Sequence, residues 1–185
     1  MTVPEQSRQL PAGLVLAAVG DPADLSARLA VAVARLQALS AWPRGSLAAD
    51  LPPSAALAAL GPGRNTLRPP AWVVALPADP GLALAQGGCW AEALGAWRQP
   101  TALVLAASQL ASGWPAAATA LLRQQQVPLA GLIQLGGVWE PPLRRNDGLP
   151  WLGWLADSSP ALALQEDERG LLPALARRWA ALDLL

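Results

Sequence analysis

Five short apolar runs constrain this chain more than anything else in it: Gly13–Val19 (GLVLAAV), Trp72–Leu76 (WVVAL), Thr101–Ala107 (TALVLAA), Leu129–Leu135 (LAGLIQL) and Leu149–Leu155 (LPWLGWL). They are apolar throughout rather than alternating apolar with polar. A strand of that kind is buried on both faces, and a sheet built from such strands is parallel and covered by helices on both sides. The intervening segments carry helical signals, so the order of strand and helix predicts an α/β fold: a Rossmann-like three-layer sandwich with a mostly parallel sheet.

The first connection is the most explicit. Asp21-Pro22-Ala23-Asp24 reads as a helix start, with Asp21 at the N-cap, Pro22 at the first helical position and Asp24 as the partner in a capping-box-like pair. Leu25, Leu29, Val33 and Leu36 then recur along one face, and Arg28 and Arg35 are expected off that stripe. Further helices are predicted over Ser54–Leu60, Trp90–Trp97 and Trp114–Gln125. A short turn at Val127-Pro128 leads into the next strand, as crossovers in parallel sheets do. Gly136–Asn146 is predicted as loop. A last helix has Pro173 in its first turn and Leu172, Leu175, Trp179 and Leu182 on its apolar face. Residues 1–11 read as a polar tail and residues 42–71 as an irregular Pro-rich segment of one domain spanning 1–185.

What is missing narrows the chemistry. All 13 basic residues are Arg, and the chain has no His, Lys, Tyr or Phe. Without His there is no Ser–His–Asp triad and no imidazole ligand. Without Lys there is no Schiff base and no phosphate-binding lysine. A single cysteine, Cys89, forms no internal disulfide and is a poor basis for zinc, so no metal site is expected. Formal net charge is zero, which removes the electrostatic case for nucleic acid or an anionic membrane. Gln99–Leu122 is uncharged and long, but Pro100, Gln109, Gly113 and Pro115 break it into strand plus helix. The polar start of the chain reads as no export signal; a soluble, cytoplasmic protein is expected.

Several polar clusters have an ordinary reading beside a functional one. Cys89 after Gly87-Gly88 sits at a helix start, where a thiol is activated, but a structural role suits it better. Arg144-Arg145 beside Asn146-Asp147 has the charge to grip a carboxylate or phosphate, though paired charges in a loop are usually solvated. Glu166-Asp167-Glu168 reads as compensation of a helix dipole. The nine Trp stand in for Phe and Tyr in the core, with Trp139 or Trp151 candidates for anchoring an interface between two copies.

From Trp72 onward, the wording and order of WVVALPADPGLAL, CWAEALGAWRQPTALVL, SQLASGWPAAATALL, VPLAGLIQL and GLPWLGWL resemble dethiobiotin synthase. That family comprises homodimeric, P-loop NTPase-like ligases that use ATP to close a ureido ring on a diamino acid with carbon dioxide. The resemblance implies a P-loop-type fold, a homodimer, ATP and Mg²⁺ as cofactors if the activity survives, and 7,8-diaminopelargonate as substrate. It covers about three-fifths of the chain. In the first half, the family's phosphate loop falls on Gly20-Asp21-Pro22-Ala23-Asp24-Leu25-Ser26-Ala27-Arg28, with its Gly-Lys-Thr on Ser26, Ala27 and Arg28.

That stretch is adverse to a triphosphate. A helix N-terminus attracts anions through free N–H groups and its dipole, but Asp21 and Asp24 place carboxylates there and Pro22 removes a donor. The family's metal-associated Glu falls on Ala75, and its adenine-reading Asn on Leu135. Gly20, Asp21, Ser26 and Arg28 are therefore degenerate phosphate-loop positions, and Leu135 a lost base-reading one. Arg28 and Asp79, the carboxylate in the loop matching the family's Gly-rich segment, are the candidates left for catalysis or substrate contact. The expectation is a dethiobiotin-synthase-like protein with lost or weakened ATP chemistry and a binding or assembly role linked to biotin synthesis. The alternatives are an active synthase with an atypical site, and an unrelated small-ligand-binding α/β module.

Overall fold

A computed structural model of the chain describes residues 13–48, 50–60, 72–85, 87–158 and 165–182. The tail 1–11 and the Pro-rich stretch 61–71 lie outside the described residues. The strands are β1 (Gly13–Ala18), β2 (Trp72–Ala75), β3 (Thr101–Ala106), β4 (Leu129–Leu135) and β5 (Trp151–Leu155). They form one sheet in the order β2-β1-β3-β4-β5, and every adjacent pair is parallel. The helices are α1 (Pro22–Ser40), α2 (Pro53–Ala59), α3 (Trp90–Ala96), α4 (Trp114–Gln124), α5 (Pro141–Asn146) and α6 (Leu171–Leu182).

The unbroken apolar strands do what their composition requires: successive residues feed opposite cores. Leu14, Leu16, Val104 and Ile133 pack on one face with α1 and α6. Val15, Ala17, Leu103, Leu105 and Leu132 pack on the other with α2, α3 and α4. The result is the Rossmann-like three-layer sandwich expected from the strand pattern, P-loop-like as the resemblance implies. Among the described residues, no helix is long and apolar enough to cross a membrane.

Helix α1 starts where the cap rules place it, the Asp21 carboxylate accepting from the Ala23 N–H at 2.9 Å. The segment before α2 also contains sheet structure: Arg44 bridges Val73 in parallel, through Gly45 N to Val73 O and Val73 N to Pro43 O. A short piece of chain thus lies along the outer edge of β2, satisfying backbone groups that an edge strand otherwise exposes.

Four expectations need correction. Gly136–Asn146 is not all loop, because Pro141-Pro142 open α5; proline is tolerated in a first turn, whose N–H groups have no intrahelical partner. In α6 the fully buried position is Leu171, with Leu175, Trp179 and Leu182, while Leu172 is only partly buried. Arg35 is not off the α1 stripe but fully buried, and Glu168 is not a solvent-facing dipole partner but equally buried. The two form an ion pair, Arg35 Nε to Glu168 Oε1 at 3.5 Å. Glu168 also accepts from Ala156 N at 3.0 Å and Gln165 N at 2.8 Å, and Arg35 Nη2 reaches Ser158 Oγ at 3.0 Å. This network ties α1 to the segment after β5 and to the start of α6.

Candidate functional site

In a doubly wound sheet of this order, ligands enter where the strand order reverses, outside the carboxyl ends of β1 and β3. The chain runs from β1 to α1 on one face, and from β3 through a 3₁₀ turn (Ala107–Gln109) to α4 on the other. The turns leave in opposite directions, so a crevice is built into the topology. Side chains of the protein itself bridge it.

The Asp79 carboxylate reaches across from the loop after β2. Its Oδ2 accepts from Gly20 N at 3.0 Å, and its Oδ1 from Gly81 N at 2.8 Å. Gly20 is at φ +118°, a conformation that side chains disfavour, which explains a glycine at the end of β1. The Val19 carbonyl accepts twice, from Arg28 Nη1 at 3.0 Å and Gln109 Nε2 at 2.9 Å, and Gln109 Oε1 accepts from Ala106 N at 3.0 Å. Burial holds the Arg28 guanidinium below the usual arginine value, and the nearby Asp24 charge acts in the opposite direction.

The structure therefore brings Gly20, Arg28 and Asp79 together, as a closed hydrogen-bonded junction. Asp21 is exposed and occupied in capping its own helix. Ser26 is elsewhere: it lines a cavity of about 210 Å³ with Arg44, Ser46 and Ala75, between α1 and the end of β2. Ala27 is exposed. Leu135 is 6% exposed and packs in the core with Leu152 and Leu155. Cys89 is half-buried at the start of α3, where its N–H donates to Glu92 Oε2 at 3.1 Å. Trp139 and Trp151 meet edge to face, centroids 6.4 Å apart, and the Arg144 guanidinium lies 5.2 Å from the Trp151 ring centre.

These residues do not fit a magnesium nucleotide. The Gly20 amide beyond β1 is held by a carboxylate, the helix start carries Asp21 and Asp24, and Ala75 and Leu135 offer no ligand or base contact. Among the described residues, no three acidic or Cys side chains cluster as a metal site. Two polar residues carry no site role in the sequence reading: Gln109, named there only for interrupting an apolar stretch, bridges the crevice, and Gln134 is fully buried at the end of β4. Gln134 had a visible signal, a lone amide in an otherwise apolar strand. Gln109 had none, because its partners lie 90 residues away in Val19 and locally in Ala106.

Asp79→Ala removes the acceptor of the part-buried Gly20 N–H and of the exposed Gly81 N–H, the second of which water can take over. It is expected to cost about 1 kcal/mol of stability, seen as a lower urea midpoint at unchanged slope. Asp79→Asn, which keeps one carboxamide oxygen as acceptor, is expected to cost less.

Compared with known proteins, the chain matches no family profile and no curated sequence.

Proposed function

We propose that this chain is a divergent relative of dethiobiotin synthase that no longer performs ATP-dependent ring closure and acts as a homodimeric binding or assembly partner linked to biotin formation. One observation carries the reading: the Asp79 carboxylate on Gly20 N, a negative group of the protein seated where a phosphate oxygen would have to bind. An anion entering there must displace a charge-assisted hydrogen bond and approach two further carboxylates, Asp21 and Asp24, with no lysine in the chain to offset them. The segment order from Trp72 onward supports the ancestry.

Calorimetric titration with Mg²⁺ and ATP tests it. The expected result is no saturable heat at millimolar nucleotide and no ADP when 7,8-diaminopelargonate and bicarbonate are added, from a protein that sediments as a dimer. Saturable binding with dethiobiotin formation would establish the active-synthase alternative, with Arg28 and Asp79 released from their present partners. A second reading, a small-ligand-binding α/β module unrelated to that family, draws on the cavities around Arg144.

A further inference from the structure

A hollow of about 400 Å³ opens on the surface between α5 and the start of β5, and it shares no residue with the bridged crevice. Trp139 and Trp151 form a corner of it, their rings edge to face with centroids 6.4 Å apart. Pro141, Arg144 and Arg145 line it from one flank of α5, as helix residues three and four apart do. At Gly148, also on its wall, a Cβ would meet nothing within 4 Å. All of these residues are half-buried or exposed, so both indoles keep ring surface open to solvent.

Polar contacts fix the aromatic corner in place. Trp151 Nε1 donates to Asp147 Oδ2 at 2.7 Å, and Asp147 Oδ1 accepts from Leu149 N at 2.9 Å. The Arg144 guanidinium lies 5.2 Å from the Trp151 ring centre, with its Nη1 3.6 Å from the same Asp147 oxygen. Groups held this way before a ligand arrives lose little freedom when it binds.

The charges around the hollow are unevenly matched. Arg144 faces Asp147, whose two oxygens are already spent on Trp151, Leu149 and Arg144. Glu140 is exposed, but it stands at the N-cap of α5 and lines a neighbouring hollow with Val138 and Leu143. Arg145 belongs to the last turn of α5 and is exposed, with no ion-pair or hydrogen-bond partner among the described residues. The wall therefore offers two indoles and one uncompensated guanidinium.

We propose that this hollow binds an aromatic monocarboxylate, its ring against Trp139 and Trp151 and its carboxylate toward Arg145. A flat ring suits the corner because edge-to-face and offset contacts with indole add to the gain from burial. A carboxylate suits a guanidinium, whose planar fork matches two oxygens. One negative charge is favoured over two because Asp147 and Glu140 belong to the same short segment and oppose a dianion. The assignment is independent of the β1 crevice and of any ancestry.

Phenylacetate, phenethylamine and cyclohexaneacetate test it, titrated separately into the ¹⁵N-labelled full chain. They hold size nearly constant while changing the sign of the charge or removing the aromatic ring. Phenylacetate is expected to saturate in roughly the millimolar range, as ligands of its size do, shifting the indole N–H signals of Trp139 and Trp151. Cyclohexaneacetate is expected to bind about fivefold more weakly for want of the ring, and phenethylamine weaker still. Arg145→Gln, at an exposed position, is expected to weaken phenylacetate by about threefold and to erase its advantage over phenethylamine. Trp139→Leu should bring phenylacetate down to the cyclohexaneacetate level. Equal affinity for the three probes, no saturation by phenylacetate, or an unchanged preference in Arg145→Gln would overturn the proposal. So would Trp139 and Trp151 signals that move on dilution of the chain alone and ignore the probes, because a second copy would then fill the hollow. The comparison of probes on the unmodified chain decides the matter even if Trp139→Leu disturbs the corner.

Discussion

Glu168→Ala is expected to lower the unfolding free energy by about 3–5 kcal/mol, the loss typical of breaking a buried ion pair from one side. The cause is less the lost attraction than what remains behind. Arg35, fully buried, keeps its charge and loses the carboxylate beside it, while Ala156 N and Gln165 N lose their acceptor. Set against a usual total of about 5–15 kcal/mol, this is a large fraction, and at the low end of that range it leaves the protein close to unfolding at ambient temperature. Denaturation in urea, followed by circular dichroism, measures it. The paired change Arg35→Met with Glu168→Leu separates the two causes, because it removes both charges and keeps the volume. It is expected to recover the part due to a buried charge that has lost Glu168 but not the part due to the two orphaned amides, leaving a deficit of about 1–3 kcal/mol. A single substitution as mild as a surface mutation, within about 0.5 kcal/mol, would mean that the pair contributes nothing.

Gly95→Ala is expected to cost about 3 kcal/mol, at or above the upper end of what overpacking usually costs. A methyl group at position 95 falls well inside van der Waals distance of the Gln125 carbonyl oxygen. The neighbour is backbone, with no side chain to swing aside. It belongs to a tight exit from α4, where Gln126 adopts φ +57° and Val127 N returns to Leu122 O at 3.0 Å. Helix α3 or that turn must move as a unit. Gly113→Ala is the control, since a methyl there meets nothing within 4 Å, and its expected effect is near zero. Urea midpoints of the two variants, compared at matched slope, show whether close approach of α3 to α4 is the reason for the glycine.

The elements of this fold are legible because local rules set them. Unbroken apolar runs read as doubly covered strands, and the Asp21-Pro22 start of α1 is a cap whose whole mechanism lies within three residues. What escaped local reading depends on distant partners. Arg35 looks like a solvent-facing charge because nothing near it in sequence announces Glu168, and Glu168 looks like a dipole partner for the same reason. The strand order β2-β1-β3-β4-β5 is likewise invisible to periodicity, which registers that a strand is covered but not which strand lies beside it.

At the candidate site, the Asp21 cap at the end of β1 was readable, whereas its closure by Asp79 and Gln109 was not. Each of those side chains comes from a different loop, and only the assembled sheet brings them to one carbonyl and one amide. The alignment that set Ser26 beside Gly20 followed sequence proximity. A helix turn is enough to carry Ser26 to the β2 side of α1, where it faces Arg44 and Ser46 instead.

The position of β1 has a consequence for the order in which the protein is made. It is the earliest of the described strands along the chain and ends in the interior of the sheet, between β2 and β3. At ordinary elongation rates of about 5–20 residues per second, several seconds separate its emergence from the ribosome and that of its second neighbour. Until β2 and β3 have appeared, α1 is the cover available to Leu14 and Leu16, and α2 the one on the face of Val15. Strands β3, β4 and β5 follow one another at short range and can zip together as they appear, so the nascent chain completes its C-terminal half by local steps while the N-terminal strand waits to be enclosed.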